Sequence, residues 1–231
     1  MPEAADERRV RQRRDAERAQ AAPQTTPQTT PRSRPTPDPR VSQLFERVTS
    51  RMAEMAGHSI SGFVASDLPT IYGALERIAR EGMARGPVFC EWGSGLGAAT
   101  ALAALLDYEA CGIEIEHDLV GAARELVSEL NIEARFAAGS FLLPGDDDLI
   151  FDERYAQPVM SHEAYSELDL TPAELDVVFS YPWPGEEALV DRLFLRHSTP
   201  DALLLTFHGD DRILVQRHVA DNPELVPLGW M

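Results

Sequence analysis

Pro87-Val88-Phe89-Cys90-Glu91-Trp92-Gly93-Ser94-Gly95-Leu96-Gly97-Ala98-Ala99 is the stretch whose reading decides the fold. It opens as a short apolar run, passes through three glycines at alternate positions and continues as an alanine-rich segment to Leu106. A short apolar run closed by glycines reads as a buried strand. The alanines after it favour a helix and are small enough to lie close against a sheet. Strand, tight loop and helix in sequence form the first half of a parallel crossover unit.

The same period continues on both sides. Ala110 to Ile115 reads as a strand, His117 to Leu130 as a helix and Ala134 to Ala138 as a strand. Further on come a strand at Leu175 to Phe179, a helix at Glu186 to His197 and a strand at Asp201 to Phe207. This alternation predicts a mostly parallel sheet between two layers of helices. Only His208 to Asp211 then precede the alternating run Arg212 to Val219. Four residues allow a hairpin and forbid a helical crossover, so the sheet is expected to end in an antiparallel strand. Upstream, Val41, Leu44, Phe45, Val48, Met52 and Met55 recur at helical spacing and Gly57 supplies a stop. After an irregular His58 to Ser66, Asp67 is placed to cap a second helix carrying Ile71, Leu75, Ile78 and Met83 and ending near Gly86. Two helices therefore precede the first strand.

Composition divides the chain. Residues 1–40 hold almost no large apolar side chains and read as a disordered tail rich in Arg, Pro and Thr. Residues 41–86 read as a helical segment and residues 87–231 as the α/β domain. The tail carries nine Arg against six acids, the remainder twelve Arg against thirty-two, and lysine is absent. A body this acidic repels phosphate backbones and anionic membranes, so nucleic acid is disfavoured as a partner. No apolar run is long enough to span a bilayer, and the amino terminus lacks the apolar core of a signal peptide, so a cytoplasmic protein with no membrane partner is expected. Cys90 and Cys111 lie on expected buried strands without a metal-ligand spacing, so they read as core residues and no metal site is expected. Leu142 to Glu174, with Asp146, Asp147 and Asp148, interrupts the alternation as an acidic loop-like insertion whose aspartates read as solvated.

The glycine loop points to a ligand. Missing side chains let a ligand approach the backbone, and the following helix start offers amide donors. Gly93, Gly95 and Ala98 also satisfy the GxGxxA pattern of dinucleotide sites, so glycine spacing alone leaves dinucleotide and adenosyl ligands open. Glu114, about twenty residues on, suits the two hydroxyls of a ribose, which both ligands possess. Glu91 separates them, because a carboxylate before the loop repels a pyrophosphate and attracts an ammonium.

These residues resemble the seven-strand, class I S-adenosylmethionine-dependent methyltransferases, over roughly Phe63 to His208. Cys90 to Gly97 match the family's first motif, and Gly112-Ile113-Glu114-Ile115 with Leu119 and Ala122-Ala123-Arg124 match its second strand and helix. The resemblance implies a Rossmann-like three-layer sandwich with S-adenosylmethionine as cofactor. It implies that Glu91, Trp92, Gly93, Ser94, Gly95 and Gly97 form the methionyl side of the site, with Glu114 on the ribose and Ile115 against the adenine. Gly139-Ser140-Phe141 falls where the family often has Gly-Asp, with Ser140 in place of the Asp, and Phe63 to Asp67 resembles a cofactor-covering segment of some members. Ser180-Tyr181-Pro182-Trp183 falls at its fourth motif, where Ser180 replaces the amide or carboxylate acceptor of nitrogen methyltransferases. Pro182 and Trp183 are then an apolar wall for the substrate.

Methyl transfer from a sulfonium needs an aligned nucleophile and, at most, a proton acceptor. His208, Tyr181, Glu186 and Glu187 lie at expected strand ends and are the candidate bases, His208 first. The function expected is a methyltransferase acting on a small molecule or a protein side chain. A cofactor-binding scaffold without catalysis and a nicotinamide-dependent oxidoreductase remain the alternatives.

Overall fold

The computed structural model describes residues 38–55, 67–150, 159–208, 212–220 and 224–231. The tail up to residue 37, the irregular stretch 58–66, residues 151–158 of the acidic insertion and the hairpin tip 209–211 lie outside the described residues.

Helix α1 spans Pro39–Met55 and α2 spans Leu68–Glu81. The first helix starts inside the stretch expected to be tail. Its signal is Asp38, whose carboxylate accepts the Arg40 amide at 2.8 Å ahead of a proline in the first turn. The second ends at Gly82, whose left-handed φ of 61° closes the helix through bonds to the Ala79 and Ile78 carbonyls.

From there the expected alternation appears as β1 Val88–Trp92, α3 Ala98–Ala104, β2 Glu109–Glu114, α4 His117–Glu129 and β3 Arg135–Ala138. Among its described residues the insertion contains a short helix, α5 Glu163–Leu168, and two single 3-10 turns. Then follow β4 Val177–Ser180, α6 Glu187–His197, β5 Leu203–His208, β6 Arg212–Val219 and β7 Glu224–Trp230. The seven strands form one sheet in the order β3-β2-β1-β4-β5-β6-β7. The first five are parallel, and β6 and β7 are each antiparallel to their predecessor. The fold is a Rossmann-like α/β sandwich, with the antiparallel hairpin strand where four residues required it.

Strand β7 was not expected. Its Pro227 and Gly229 weaken the strand signal, and the edge position makes them tolerable because the outer side needs no ladder donors. The register shifts between Val215 and Gln216 opposite Pro227.

Alternating strand residues divide the core between the two faces. Phe89, Val177, Phe179, Leu203 and Leu205 meet α1 to α4, while Cys90, Cys111, Ile113, Val178 and Leu204 meet α5 and α6. Both cysteines are free and buried, side by side in register. The insertion is fastened to the second face, which corrects the solvated reading of its aspartates at one position. Asp146 is 1% exposed, accepts the Leu143 amide at 2.8 Å and lies 2.8 Å from His197 Nε2 and 3.3 Å from an Arg196 nitrogen.

Two glycines set how closely the loop after β1 sits on the sheet. A Cβ on Gly97, at φ +73°, would come within 2.5 Å of the Phe136 ring. One on Gly112 would lie 2.7 Å from Ser94 Cβ and 2.9 Å from Phe136 Cδ1. Neither contact is possible without movement of the loop or the ring. Gly112→Ala is therefore expected to lower unfolding free energy by about 1 to 3 kcal/mol. Adding Ser94→Gly should recover part of that loss in urea denaturation, and failure to recover any would place the strain elsewhere.

Candidate functional site

The sheet order reverses between β1 and β4, and the crevice at the carboxyl ends of these strands is where open α/β sheets hold ligands. A cavity of about 600 Å³ opens there. Glu91, Trp92, Gly93, Ser94 and Gly95 form its floor, Glu114, Ile115 and Glu116 one side, and Ser180 to Pro184 with Phe207 and His208 the other.

Glu91 ends up buried near the end of β1. Its Oε2 accepts the Thr100 amide at 2.9 Å and the Thr100 hydroxyl at 2.6 Å, so the strand carboxyl caps the first turn of α3. Loss of water raises its pKa to about 8 against the lowering effect of those two bonds, and the nearby Glu114 charge adds to the rise. At neutral pH Glu91 is thus mainly protonated. Glu114, also buried, accepts the Gly95 amide at 2.8 Å and the Glu116 amide at 3.0 Å, one on each oxygen. Each carboxylate oxygen retains acceptor capacity.

The loop between them is built by its own backbone. Gly93, Gly95 and Gly97 have φ of 77°, 51° and 73°, a region that L side chains rarely adopt. The amides of Gly93 and Ser94 both donate to the Ile113 carbonyl, at 2.9 and 3.0 Å, and that of Gly97 to the Ser94 carbonyl at 2.7 Å. With Gly95 bound to Glu114, four loop amides already have protein acceptors. These four are therefore not free for a ligand. What the loop offers instead is the Ser94 hydroxyl, buried at the cavity wall without a hydrogen-bond partner.

Trp92 and Phe141 stack at 5.3 Å with 4° between their planes, and both line the cavity. The Ser180 hydroxyl donates to the Trp92 carbonyl at 3.3 Å, holding the ends of β4 and β1 together. Tyr181 tilts against Phe207 at 4.9 Å. The Trp183 amide donates to Glu186 at 3.3 Å, Pro182 is buried beneath, and Trp183 itself is 46% exposed. His208 is half-buried, with Nε2 3.0 Å from the Thr206 hydroxyl and its ring against Trp230 at 4.9 Å. On α6, burial raises the carboxyl of Asp191, an effect opposed by the nearby His208 and Arg192 and reinforced by Glu187.

Of the residues expected in the site, Gly97 and Ser140 do not line the cavity. Gly97 seats the loop over Phe136, and Ser140 accepts the Leu142 amide at 3.0 Å. Val48 and Met52 of α1 and Leu68 and Ile71 of α2 do line it, as do Leu119, Glu187, Val190 and Phe207. The amphipathic stripe of α1 announces burial, and nothing in its spacing tells a core contact from a cavity wall. None of the described residues between 142 and 174 reaches the cavity.

No protein-family model matches the chain, and no curated protein is similar to it. Among solved structures the chain is similar to an O-methyltransferase from Bacillus cereus in complex with SAH, at 12% identity, 74% of this chain, 67% of that one and a TM-score of 0.47. It is also similar to an SAH-bound methyltransferase from Podospora anserina, at 14% identity, 76% and 64% coverage and a TM-score of 0.47. An RNA methyltransferase from Salinibacter ruber in complex with S-adenosyl-L-homocysteine gives 19%, 62%, 76% and 0.44. At these identities, with each TM-score below 0.5, the likeness decides neither ligand nor reaction.

The Glu91 carboxyl makes stability depend on pH in a definite direction. Its folded pKa of about 8 lies above the ordinary value of 4.5, so the folded state holds a proton that the unfolded chain releases. Stability from this group is full below pH 4.5 and is lost as pH rises toward 8. Relative to Glu91→Gln, the unsubstituted protein should lose up to about 1.4 kcal/mol per pH unit across that window. Urea denaturation of both proteins at several pH values measures this, and parallel stability curves would show that the carboxyl is ionised throughout.

Proposed function

We propose that the chain binds S-adenosylmethionine in this cavity and transfers its methyl group to an acceptor, a small molecule or a protein side chain. One observation carries the reading. Glu91 and Glu114 flank a glycine loop whose buried Ser94 hydroxyl lacks a partner, in a cavity that no Arg lines among the described residues. Such a wall suits a cationic amino-acid group at one end and a hydroxyl-bearing sugar at the other. A pyrophosphate would meet a loop whose amides at Gly93, Ser94, Gly95 and Gly97 are already engaged, which weighs against a dinucleotide.

In this reading Glu91 and the loop hold the ammonium end, Glu114 takes the ribose hydroxyls and the exposed Ile115 side chain covers one face of the adenine. Gly97, Ser140, Phe141 and Ser180 shape that cleft, the first two from behind it. The bound cofactor supplies a sulfonium methyl that is already activated. Pro182 and Trp183 then form the acceptor's wall. His208, held by Thr206, is the first choice for receiving a proton, ahead of Tyr181 and Glu186. Among the described residues no helix is long and apolar enough to cross a membrane. We extend the proposal to a cytoplasmic setting, supported by the two adjacent buried thiols, and to a non-nucleic-acid acceptor, supported by the acidic cavity.

Isothermal titration with S-adenosylhomocysteine, with NAD as control, tests the reading. Binding is expected for the former only, weakened by about ten- to a hundredfold in Glu114→Ala. An ammonium placed beside a carboxyl that is neutral at pH 7 must drive its proton off. Binding should therefore release up to one proton, seen as an enthalpy that varies with the buffer's ionisation heat, and affinity should rise with pH up to about 8. Glu91→Gln should bind without that release. Binding of NAD in place of S-adenosylhomocysteine would overturn the proposal.

A further inference from the structure

We infer that the acceptor is an amine on a flat apolar body, bound as its ammonium cation between the aromatic rings after β4 and the carboxylates that begin α6, and that its nitrogen gives a proton to a base such as His208 before it takes the methyl group. The inference rests on the cofactor reading above and concerns the half of the cavity which that reading leaves vacant. Five glutamate side chains line the cavity, the neutral Glu91 together with Glu114, Glu116, Glu186 and Glu187, and no arginine does among the described residues. Glu91, Glu114 and Glu116 belong to the β1 and β2 side. Glu186 and Glu187 stand at the other end, beside Tyr181, Trp183 and Phe207.

Acceptors bearing a carboxylate or phosphate are recognised through guanidinium or ammonium partners, and this wall supplies none. Arg212 is not part of it, its guanidinium lying 4.5 Å over the Trp230 ring. A cation gains from both components that are present, since ring faces and carboxylates each attract it. The loop fixes that combination in place. The Gly185 amide donates to Glu187 at 2.8 Å and the Trp183 amide to Glu186 at 3.3 Å, so both carboxylates are held against the turn that presents the tryptophan. Asp191, one helical turn beyond Glu187, lies within electrostatic reach of Glu187 and His208. Trp183 exposes 46% of its surface to solvent at the cavity mouth, apolar area that a ring-bearing ligand would cover.

Three probes of matched shape test this on the full chain saturated with S-adenosylhomocysteine: 2-phenylethylamine, 2-phenylethanol and 3-phenylpropanoate. The amine is expected to bind about tenfold more tightly than the alcohol, with the carboxylate weakest. Glu187→Gln keeps an acceptor for the Gly185 amide and should remove most of the amine's advantage while leaving the alcohol's affinity unchanged. Trp183→Ala should weaken amine and alcohol together. Equal binding of the three probes, tighter binding of the carboxylate, or no binding of any at millimolar concentration would overturn the inference while S-adenosylhomocysteine still binds. Failure of S-adenosylhomocysteine itself to bind would remove the cofactor reading and this one with it.

Discussion

The close seating of the glycine loop on β2 and β3 is the constraint on which the site depends. Where Gly97 and Gly112 lack a Cβ, the Phe136 ring and the Ser94 side chain fill the space. That approach lets the Ile113 carbonyl accept two successive loop amides and lets the Gly95 amide reach Glu114. Glu114 is thereby tied to the loop that follows Glu91, and the two carboxyl groups share one cavity. A bulkier residue at either glycine would lift the loop and part them.

The same arrangement couples fold and site through charge. Glu91 caps α3 from the neighbouring strand, yet the burial that brings it to the Thr100 amide also favours its neutral form. A cationic ligand would restore the charge by supplying the compensation that water supplies in the unfolded chain. Ligand affinity, proton uptake and the stability of the unliganded protein are then one linked quantity. Helices α1 and α2 contribute an apolar wall to the same cavity, through Val48, Met52, Leu68 and Ile71. Arg51 holds α1 in position by donating to the Ala122 carbonyl at 3.0 Å and pairing with Glu129 at 2.9 Å, both on α4.

Much of this was legible in local patterns. Alternating apolar runs and glycine stops announced the parallel units, and the four residues between Phe207 and Arg212 announced the hairpin. Glu91 and Glu114 stood out by chemistry and spacing alone, whereas the buried Ser94 hydroxyl became visible only in the fold. The failures have physical causes. Gly97 and Ser140 share motifs with residues that line the cavity, but they sit behind its wall, against Phe136 and the Leu142 amide. Asp146 looks like one of three solvated acids because its partners, Arg196 and His197, lie some fifty residues away. Strand β7 escaped notice because an edge position relaxes the very rules that make a strand recognisable.

The sequence by itself determined the order of elements, the place of the turn, and which carboxylates lie beside it. Those features follow from periodicity and from the backbone freedom of glycine, which act over a few residues. Only the tertiary structure decided that Glu91 is held neutral, that α1 and α2 wall the cavity, and that Glu187 and Phe207 join Trp183 at its far end. Each of these depends on which distant groups exclude water from a side chain. A stripe of apolar residues predicts burial without naming its partner, and a carboxyl's charge is set by surroundings that only the folded chain assembles.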